Sequence, residues 1–434
     1  MHFTRCLIGF VILLAATAAW TRPVRSEEVP PAGPPAPTTT DTVVVSPAPT
    51  PPAEESWPSE FFKSLKFSGL LEISYTYNFQ KPRPAVGNEN RARIFDVNSN
   101  EFMLNQFELN VEKPVTTDSP LGFKVSPLIG QTAPFTQSFG LFNNDFDGDG
   151  TSESDGNFDL VEAYIQGLCP ATGTIAKLGK FVTSAGAEVI SASGNDMFGR
   201  SFLFGFAIPF THTGLLLTQP VLKHGADEAD LLTASAGIAN GWDQVKDVNE
   251  AKVILTNLSF YPADMLALYG NFFYSFSEQA GNNTNARTLV DLVAAVYPIP
   301  DEKALKFLLN FDWGGEEGAA VGGGYAQWYG FAGIVRYDFT EQWYVALRGE
   351  AFNDPEGART GATLGAPGAA ITDVRLYEVT LTLGYKPVDN LLLRTEFRYD
   401  KANQDVFYHK TGDAGGLADE NHQATIAFDA VFLF

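Results

Sequence analysis

The final stretch of the chain, HQATIAFDAVFLF at residues 422–434, decides the fold. Its apolar side chains fall on alternate positions: Ala424, Ile426, Phe428, Ala430, Phe432 and Phe434. Gln423, Thr425 and Asp429 lie between them. A period of two residues is that of a β-strand with one apolar face. The stretch therefore predicts a strand that ends on an aromatic C-terminal residue.

The same alternation recurs from Phe67 onward. In the first strand one face carries Phe67, Gly69, Leu71, Ile73, Tyr75, Tyr77 and Phe79, and the other carries Ser68, Glu72, Ser74, Thr76 and Asn78, with Leu70 as the single exception. Residues 265–278, 304–313, 343–352 and 391–400 alternate in the same way. Charged side chains are very costly in an apolar environment without partners. We therefore expect the apolar face to meet hydrocarbon, and the polar face to line a water-filled lumen rather than a packed core.

Composition limits how such strands can be arranged. Hydrophobic residues make up 45% of the chain and aromatic residues 13%, yet no later segment is a continuous apolar run of membrane-helix length. Strands that cross a membrane must close on themselves, because open edges cannot be satisfied in lipid. Turn-forming clusters at 297–301, 338–342 and 386–390 separate some strand pairs, and longer polar segments separate others. The chain is thus predicted to be all-β: a transmembrane, antiparallel, up-and-down β-barrel of about 16 strands, within a range of about 14–18.

The N-terminal region predicts export. Arg5, the apolar run 6–19 and the small residues Ala16, Ala18 and Ala19 form a signal peptide pattern within residues 1–26, with cleavage between 19 and 26. Residues 27–66 are rich in proline and predict an extended periplasmic leader. Residues 67–434 form the predicted barrel. Export combined with a barrel places the protein in the outer membrane of a Gram-negative-type envelope.

Several runs resemble a known family. They are Tyr75-Thr76-Tyr77-Asn78-Phe79, residues 93–96 and 100–109, Gly179-Lys180-Phe181-Val182 with Gly186 and Glu188, Pro209-Phe210-Thr211-His212-Thr213-Gly214, and Asn240-Gly241-Trp242-Asp243. Together they are similar to the OmpL-like outer-membrane β-barrel porins over residues 67–434. The resemblance implies a porin-like channel and does not identify a solute.

Eight charged residues fall on predicted inward positions. The arginines are Arg336, Arg348, Arg394 and Arg398, and the glutamates are Glu72, Glu108, Glu112 and Glu162. If the two groups line opposite walls, a transverse field crosses the pore and sets ion preference. The alternative is local ion pairing, for example Arg348 with Glu350 or Arg394 with Glu396.

A constriction requires a segment that folds inward. The candidates are residues 132–157 and residues 191–209, where Gly194, Gly199 and Gly205 give backbone freedom. Arg200, Thr211 and His212 are the candidate constriction residues where the second segment rejoins the wall. The alternative for His212 is a hydrogen bond within the wall.

One acidic loop has the spacing of a calcium site. Asp145, Asp147, Asp149 and Glu153 match the first part of a calcium loop, with Gly150 at the sharp bend, and Asp155 lies one residue before position 12 as a further candidate ligand. Position 12 is Gly156 instead of a bidentate glutamate, and no flanking helices are evident. A solvated acidic loop without an ion is the alternative.

The function predicted from the sequence is passive diffusion of small hydrophilic solutes or ions. The five histidines show no spacing typical of a catalytic triad, and no phosphate-binding loop follows a strand, so we do not expect an enzyme. The net charge of −22 argues against nucleic acid as a partner. The expected partners are outer-membrane lipid and solutes, no cofactor beyond Ca²⁺ is implied, and a homotrimer is compatible with a barrel of this size. The alternative function is a Ca²⁺-dependent structural or adhesive surface barrel without an open pore.

Overall fold

The computed structural model describes residues 61–82, 90–142, 156–224, 229–299, 304–365, 369–409 and 418–434. Within these residues, 16 strands form one closed barrel in which every neighbouring pair is antiparallel. The strands are β1 (Lys66–Asn78), β2 (Glu101–Lys113), β3 (Leu121–Ile129), β4 (Phe158–Leu168), β5 (Ile175–Val182), β6 (Thr211–Lys223), β7 (Asp230–Ala239), β8 (Val253–Ala263), β9 (Leu266–Ser275), β10 (Arg287–Val296), β11 (Leu305–Glu316), β12 (Ala326–Asp338), β13 (Trp343–Asp354), β14 (Val374–Val388), β15 (Leu391–Ala402) and β16 (His422–Leu433). The predicted fold class and strand number are confirmed.

In the described part of the chain, helical structure is limited to residues 61–63, before β1, and to single turns in the connections. The α-helical turns are Ala133–Thr136 and Gly361–Leu364, a 3₁₀ turn spans Ala192–Gly194, and a π-helical turn spans Leu203–Ala207. None of the helices in the described ranges has the length and apolar character needed to cross a membrane.

The C-terminal stretch closes the barrel. β16 pairs with β15 on one side and with β1 on the other, with Leu70 opposite Leu433 and Asn78 opposite Thr425. At the end of this pair the Phe434 N–H donates to the Gly69 carbonyl at 3.1 Å, and the Gly69 N–H donates to the Phe434 carbonyl at 2.8 Å. The first and last thirds of the chain are therefore neighbours in space.

The alternation seen in the sequence is the inside–outside alternation of the wall. In β1, Glu72 is 3% exposed and points inward, whereas Ile73 is 45% exposed on the outer face. The four-residue connection between β12 and β13 and the two-residue connection between β14 and β15 lie at the same end as the start of β1 and the end of β16. The long connections lie at the opposite end, as predicted for an outer-membrane barrel.

The interior differs from the prediction of a water-filled lumen without a packed core. Residues 183–210, which connect β5 to β6 and which we call the inner segment, lie inside the barrel. Eight of its residues join a buried apolar cluster, among them Phe202, Leu203, Phe204 and Phe210. The wall contributes Trp328, Phe352 and Leu376 to the same cluster, near the end with the long connections. Alternation shows which face points inward, but it does not show that a distant segment packs against that face.

Candidate functional site

Two glutamates of the wall hold the inner segment through its backbone. Glu396 on β15 accepts the N–H groups of Phe198 and Gly199, both at 2.9 Å. Glu350 on β13 accepts the N–H groups of Phe202 and Leu203 at 2.7 and 2.6 Å. Buried backbone N–H groups require partners, and these four have none in a strand ladder. The carboxylates therefore fix where the inner segment crosses the barrel.

Arginines of the same wall hold the carbonyl groups of the inner segment. The Arg394 guanidinium donates to the carbonyls of Asn195 and Met197 at 3.0 and 2.9 Å. Arg348 donates to the Gly199 carbonyl at 2.8 Å, and Arg398 donates to the Arg200 carbonyl. All three arginine side chains are almost fully buried. They are placed inside the barrel, as predicted, but they position the inner segment and do not face open space.

The charges of these arginines are balanced locally. Arg348 pairs with Glu378 and with Glu188 at 2.7 Å, Arg394 pairs with Asp429 at 2.7 Å and Glu72 at 3.5 Å, and Arg398 pairs with Asp400 at 2.7 Å. The hypothesis of separate arginine and glutamate walls is therefore wrong. Local ion pairing, which was the alternative, matches these contacts. The partners suggested for it, Glu350 and Glu396, instead bind backbone N–H groups of the inner segment.

The physical reason is barrel closure. Asp429 on β16 lies directly opposite Arg394 on β15. β1 lies on the other side of β16, so Glu72 also reaches the Arg394 guanidinium. Two residues that are far apart in the chain thus share one buried cation, an arrangement that a linear view of the sequence does not indicate.

The other three predicted glutamates belong to a second cluster on β2–β4. Lys124 on β3 forms an ion pair with Glu162 and lies opposite Glu112 in the β2–β3 register. Glu108 accepts a hydrogen bond from the Asn110 side chain at 2.8 Å. These inward charges are also compensated within their own part of the wall.

Arg336 is the predicted arginine that borders open space. Its guanidinium pairs with Asp196 of the inner segment at 2.8 Å and with Asp338 at 2.5 Å, and it lies 3.8 Å from the centre of the Tyr344 ring. Lys306 also pairs with Asp196. Burial raises the pKa of the Asp196 carboxyl, but the two cations outweigh it and hold that pKa below its usual range.

These charges line a cavity of about 690 Å³, which we call the charged cavity. It lies beside the inner segment at the end of the barrel with the short turns, where Thr340, Glu341 and Lys386 also border it. A second cavity of about 340 Å³ lies on the other side of residues 183–194. The inner segment thus divides the space within this half of the barrel.

The candidate constriction residues contact other parts of the protein and hold them in place. Arg200 donates to the carbonyls of Val189, Ile190 and Phe198 at 3.0, 2.9 and 2.6 Å, so it fixes the fold of the inner segment itself. It does not border either cavity.

Thr211 and His212 lie in the wall at the start of β6. The Thr211 hydroxyl is 2.7 Å from that of Ser138, and the His212 Nδ1 is 3.3 Å from the Gly241 carbonyl. The His212 ring packs edge-on against Phe273. The wall interpretation of His212 therefore matches its contacts.

The other candidate constriction segment, residues 132–157, is only partly described. Its Thr136 hydroxyl donates to Asp159 on β4 at 2.9 Å, and the Phe139 N–H donates to the Asp243 carbonyl at 2.7 Å. The acidic loop with Asp145, Asp147, Asp149, Glu153 and Asp155 lies outside the described residues. In the part of the chain that is described, no cluster of three or more His, Cys, Asp or Glu side chains is arranged to hold a metal ion.

Sequence reasoning missed several residues that organise the site. Glu188 binds both Arg348 and the Ser201 N–H. The Gln106 side chain donates to the Ile190 carbonyl and accepts the Ala192 N–H. Gln106 and Glu378 are polar residues on inward strand positions, so alternation along their strands could have identified them as interior residues. Glu188 lies in an irregular connection, and only the family resemblance, not alternation, singled it out in the sequence.

Solved structures of similar shape are outer-membrane barrels. An anion-selective porin from Comamonas acidovorans aligns with a TM-score of 0.53 at 11% identity, covering 85% of this chain and 99% of that chain. OprB of Pseudomonas putida aligns with a TM-score of 0.54 at 10% identity, covering 87% and 96%. The trimer form of OmpT from Vibrio cholerae aligns with a TM-score of 0.52 at 11% identity, covering 85% and 99%. No curated protein matches the sequence. At these identities the structural likeness establishes the fold.

The family follows from the sequence match. Residues 64–434 match the family model described as "Putative beta-barrel porin-2, OmpL-like". This confirms the resemblance stated above, and the family and structural neighbours are porins and channels rather than enzymes. The chain therefore belongs to the OmpL-like beta-barrel porin family and is a porin-like barrel of the outer membrane.

Proposed function

We propose that the protein conducts small hydrophilic solutes and ions by passive diffusion, through a lumen that the inner segment narrows. The observation that carries this proposal is the charged cavity of about 690 Å³ inside the barrel. Its boundary includes Lys306, Arg336, Asp196 and Asp338, which form compensated pairs. Paired fixed charges replace part of the hydration shell of an ion and favour water over lipid or apolar solutes.

The inner segment suits the role of the constriction because it is fixed at many points. Glu350, Glu396, Arg348 and Arg394 bind its backbone from one wall, and Gln106 binds it from β2. A constriction selects by size only if its backbone does not fluctuate widely. Side chains locked by buried hydrogen bonds and ion pairs supply that rigidity.

The test is conductance of the refolded protein in planar lipid bilayers. We expect discrete current steps in KCl, with heat-denatured protein from the same preparation as the control. A folded, heat-modifiable barrel that inserts and gives no steps would overturn the proposal.

The second candidate is a surface barrel with a closed lumen, stabilised by Ca²⁺. The specific observation that favours it is the apolar cluster of Phe202, Leu203 and Phe204 with Trp328 and Phe352, which lies inside the barrel near the end with the long connections. The spacing of the acidic residues 145–155 supports the Ca²⁺ component. Replacing Asp145, Asp147 and Asp149 by asparagine should then abolish Ca²⁺-dependent protection of that loop from protease. Identical cleavage of the wild type with and without Ca²⁺ would reject the metal.

We also propose a homotrimer as the assembly. The similar barrel of OmpT is described in a trimer form. Chemical cross-linking in detergent, with a ladder that ends at three subunits, is the expected result, and a species that remains monomeric at all concentrations would contradict it.

A further inference from the structure

The second cavity has a different chemistry from the charged cavity. Its wall is formed by the inward side chains of β6–β8: Thr218, Thr233, Ser235, Asn257 and Ser259. The inner segment adds Thr183 and Ser184 from the opposite side. We call this space the hydroxyl cavity, after the Ser and Thr side chains that line it.

Positive charge is absent from the hydroxyl cavity. None of the described residues that line it is a lysine or an arginine. Glu188 borders it, but this carboxylate is neutralised by Arg348 at 2.7 Å and accepts the Ser201 N–H at 2.7 Å. Asp230 lies at the edge, at the start of β7. The cavity therefore combines uncharged polar groups with apolar side chains such as Val293 and Leu308, and it carries little net charge.

The wall groups retain hydrogen-bonding capacity after their contacts with one another are counted. The hydroxyls of Thr218 and Ser235 are 2.9 Å apart, and Ser259 donates to the Asn257 side chain at 3.1 Å. A hydroxyl can donate one hydrogen bond and accept two, so Thr218, Ser235 and Ser259 can each still bind a ligand. Tyr261 and Tyr269, with ring centres 5.8 Å apart, add aromatic faces and phenol groups at the same cavity.

We infer that the hydroxyl cavity is a site for neutral polyhydroxylated solutes of monosaccharide size, a specificity that rests on the channel function proposed above. Such a solute exchanges hydrogen bonds to water for hydrogen bonds to Ser, Thr and Asn at little cost. Apart from Asp230 at the edge and the neutralised Glu188, an ion finds no charged group here in return for its lost hydration. The volume of about 340 Å³ suits a small solute. The inner segment thus separates an ion route from a sugar route.

The test uses proteoliposomes and removes hydroxyl groups without changing shape. Thr233→Val removes one wall hydroxyl, and the double variant Thr233→Val with Asn257→Leu removes two polar groups. Thr256→Val is the matched control, because Thr256 lies on β8 between the outward residues Ile254 and Leu258. Asp196→Asn is the control for the charged cavity. Swelling in isosmotic glucose reports the sugar route, and KCl conductance reports the ion route.

The expected result is glucose swelling slowed by about threefold or more in the double variant and less in Thr233→Val, since each lost hydrogen bond weakens binding modestly. KCl conductance should be unchanged in both. Thr256→Val should match the wild type in both assays, and Asp196→Asn should change ion selectivity only. Wild-type protein that conducts KCl but excludes glucose would overturn the inference and leave the proposed function intact. Equal loss of glucose and KCl passage would also overturn it. Failure of the wild type to pass either would overturn both.

Discussion

At the scale of single residues, the arginines inside the barrel act as cross-links. Arg394 binds two carboxylates, Asp429 and Glu72, and three carbonyls of the inner segment. Removing one member of such a buried set leaves the others charged and without a partner, which costs more than the original contact contributed. The role of this residue is therefore structural, and its effect on ion selectivity should be indirect.

We expect Arg394→Met to destabilise the barrel by roughly 3–5 kcal/mol, the usual cost of breaking a buried pair. The measurement is the temperature at which the folded form is lost in detergent, followed by electrophoretic mobility. Arg375→Met is the control, because the Arg375–Asp373 pair is exposed at the surface. A similar loss of stability in both variants would contradict the assigned role of Arg394.

Selectivity should instead respond at Arg336, which borders the charged cavity. Arg336→Gln removes a cation beside Asp196 and Asp338, so the reversal potential in a KCl gradient should shift toward cations. Asp196→Asn should shift it the opposite way, since Lys306 and Arg336 then lack this partner. A shift of the same sign in both variants would exclude a direct electrostatic effect.

Because the pKa of the Asp196 carboxyl is lowered, its effect on the reversal potential should remain at acidic pH. A carboxyl whose pKa lies below its usual 3.8 in the folded protein stays ionised above that value, and its attraction to the cations is lost only as pH falls through the lower pKa. We expect the difference in reversal potential between wild type and Asp196→Asn to be the same at neutral pH and at ~pH 5. A difference that disappears by ~pH 5 would mean that Lys306 and Arg336 do not hold the carboxyl ionised.

For the charged residues of the interior, the sequence predicted the face of the wall correctly but did not predict the hydrogen-bond and ion-pair partners. Alternation placed Arg348, Arg394 and Glu72 inside the barrel, because the period of a strand fixes the face of each residue. Their partners depend on which strands become neighbours and on a segment that enters from elsewhere. Glu350 and Glu396 illustrate the limit: they were close in sequence to the arginines, yet they bind backbone N–H groups of the inner segment.

At the scale of elements, the inner segment is the feature that distinguishes the interior. The glycine-containing run 191–209 could be recognised as a candidate because glycine permits irregular backbone. Its path across the lumen, and its apolar packing through Phe202 and Phe204, could not be predicted, since both depend on wall residues far away in the chain. A strand obeys a local period, whereas an irregular connection is shaped by whatever surrounds it.

The two glutamate anchors make the inner segment testable as an element. The double variant Glu350→Gln with Glu396→Gln replaces each carboxylate by an amide that accepts fewer and weaker hydrogen bonds. We expect larger and noisier single-channel currents, because the inner segment is held less firmly. Glu112→Gln is the matched control, since this inward glutamate lies on β2, opposite Lys66 and Lys124. Unchanged current noise in the double variant would show that the anchors do not restrain the segment.

At the scale of the whole molecule, closure is what converts a strand pattern into a barrel. The alternation in residues 422–434 predicted one strand, and repetition of that pattern predicted about 16. Within the described residues the structure has 16 strands, as predicted. The count could be predicted because each turn cluster and each long connection marks one strand boundary. Closure also explains the error about separate charged walls: it makes β1 and β16 neighbours, so Glu72 and Arg394 meet.

Phe434 lies at the end of the β1–β16 pair that closes the barrel. Deleting it therefore tests whether closure of the whole barrel depends on this residue. Its backbone exchanges two hydrogen bonds with Gly69, and its ring stacks on Phe107 and covers Gly69, where a Cβ would lie 2.5 Å from the ring. Deleting Phe434 removes both hydrogen bonds and exposes the end of β1, which lies at the seam of the barrel. We expect a smaller folded fraction in the outer membrane, measured by heat-modifiable mobility. Phe428→Ala, on the outer face of the same strand, is the control because it removes a ring but leaves the backbone hydrogen bonds between β16 and β1 in place. Equal folded fractions for the deletion and the wild type would show that the seam closes without its last residue.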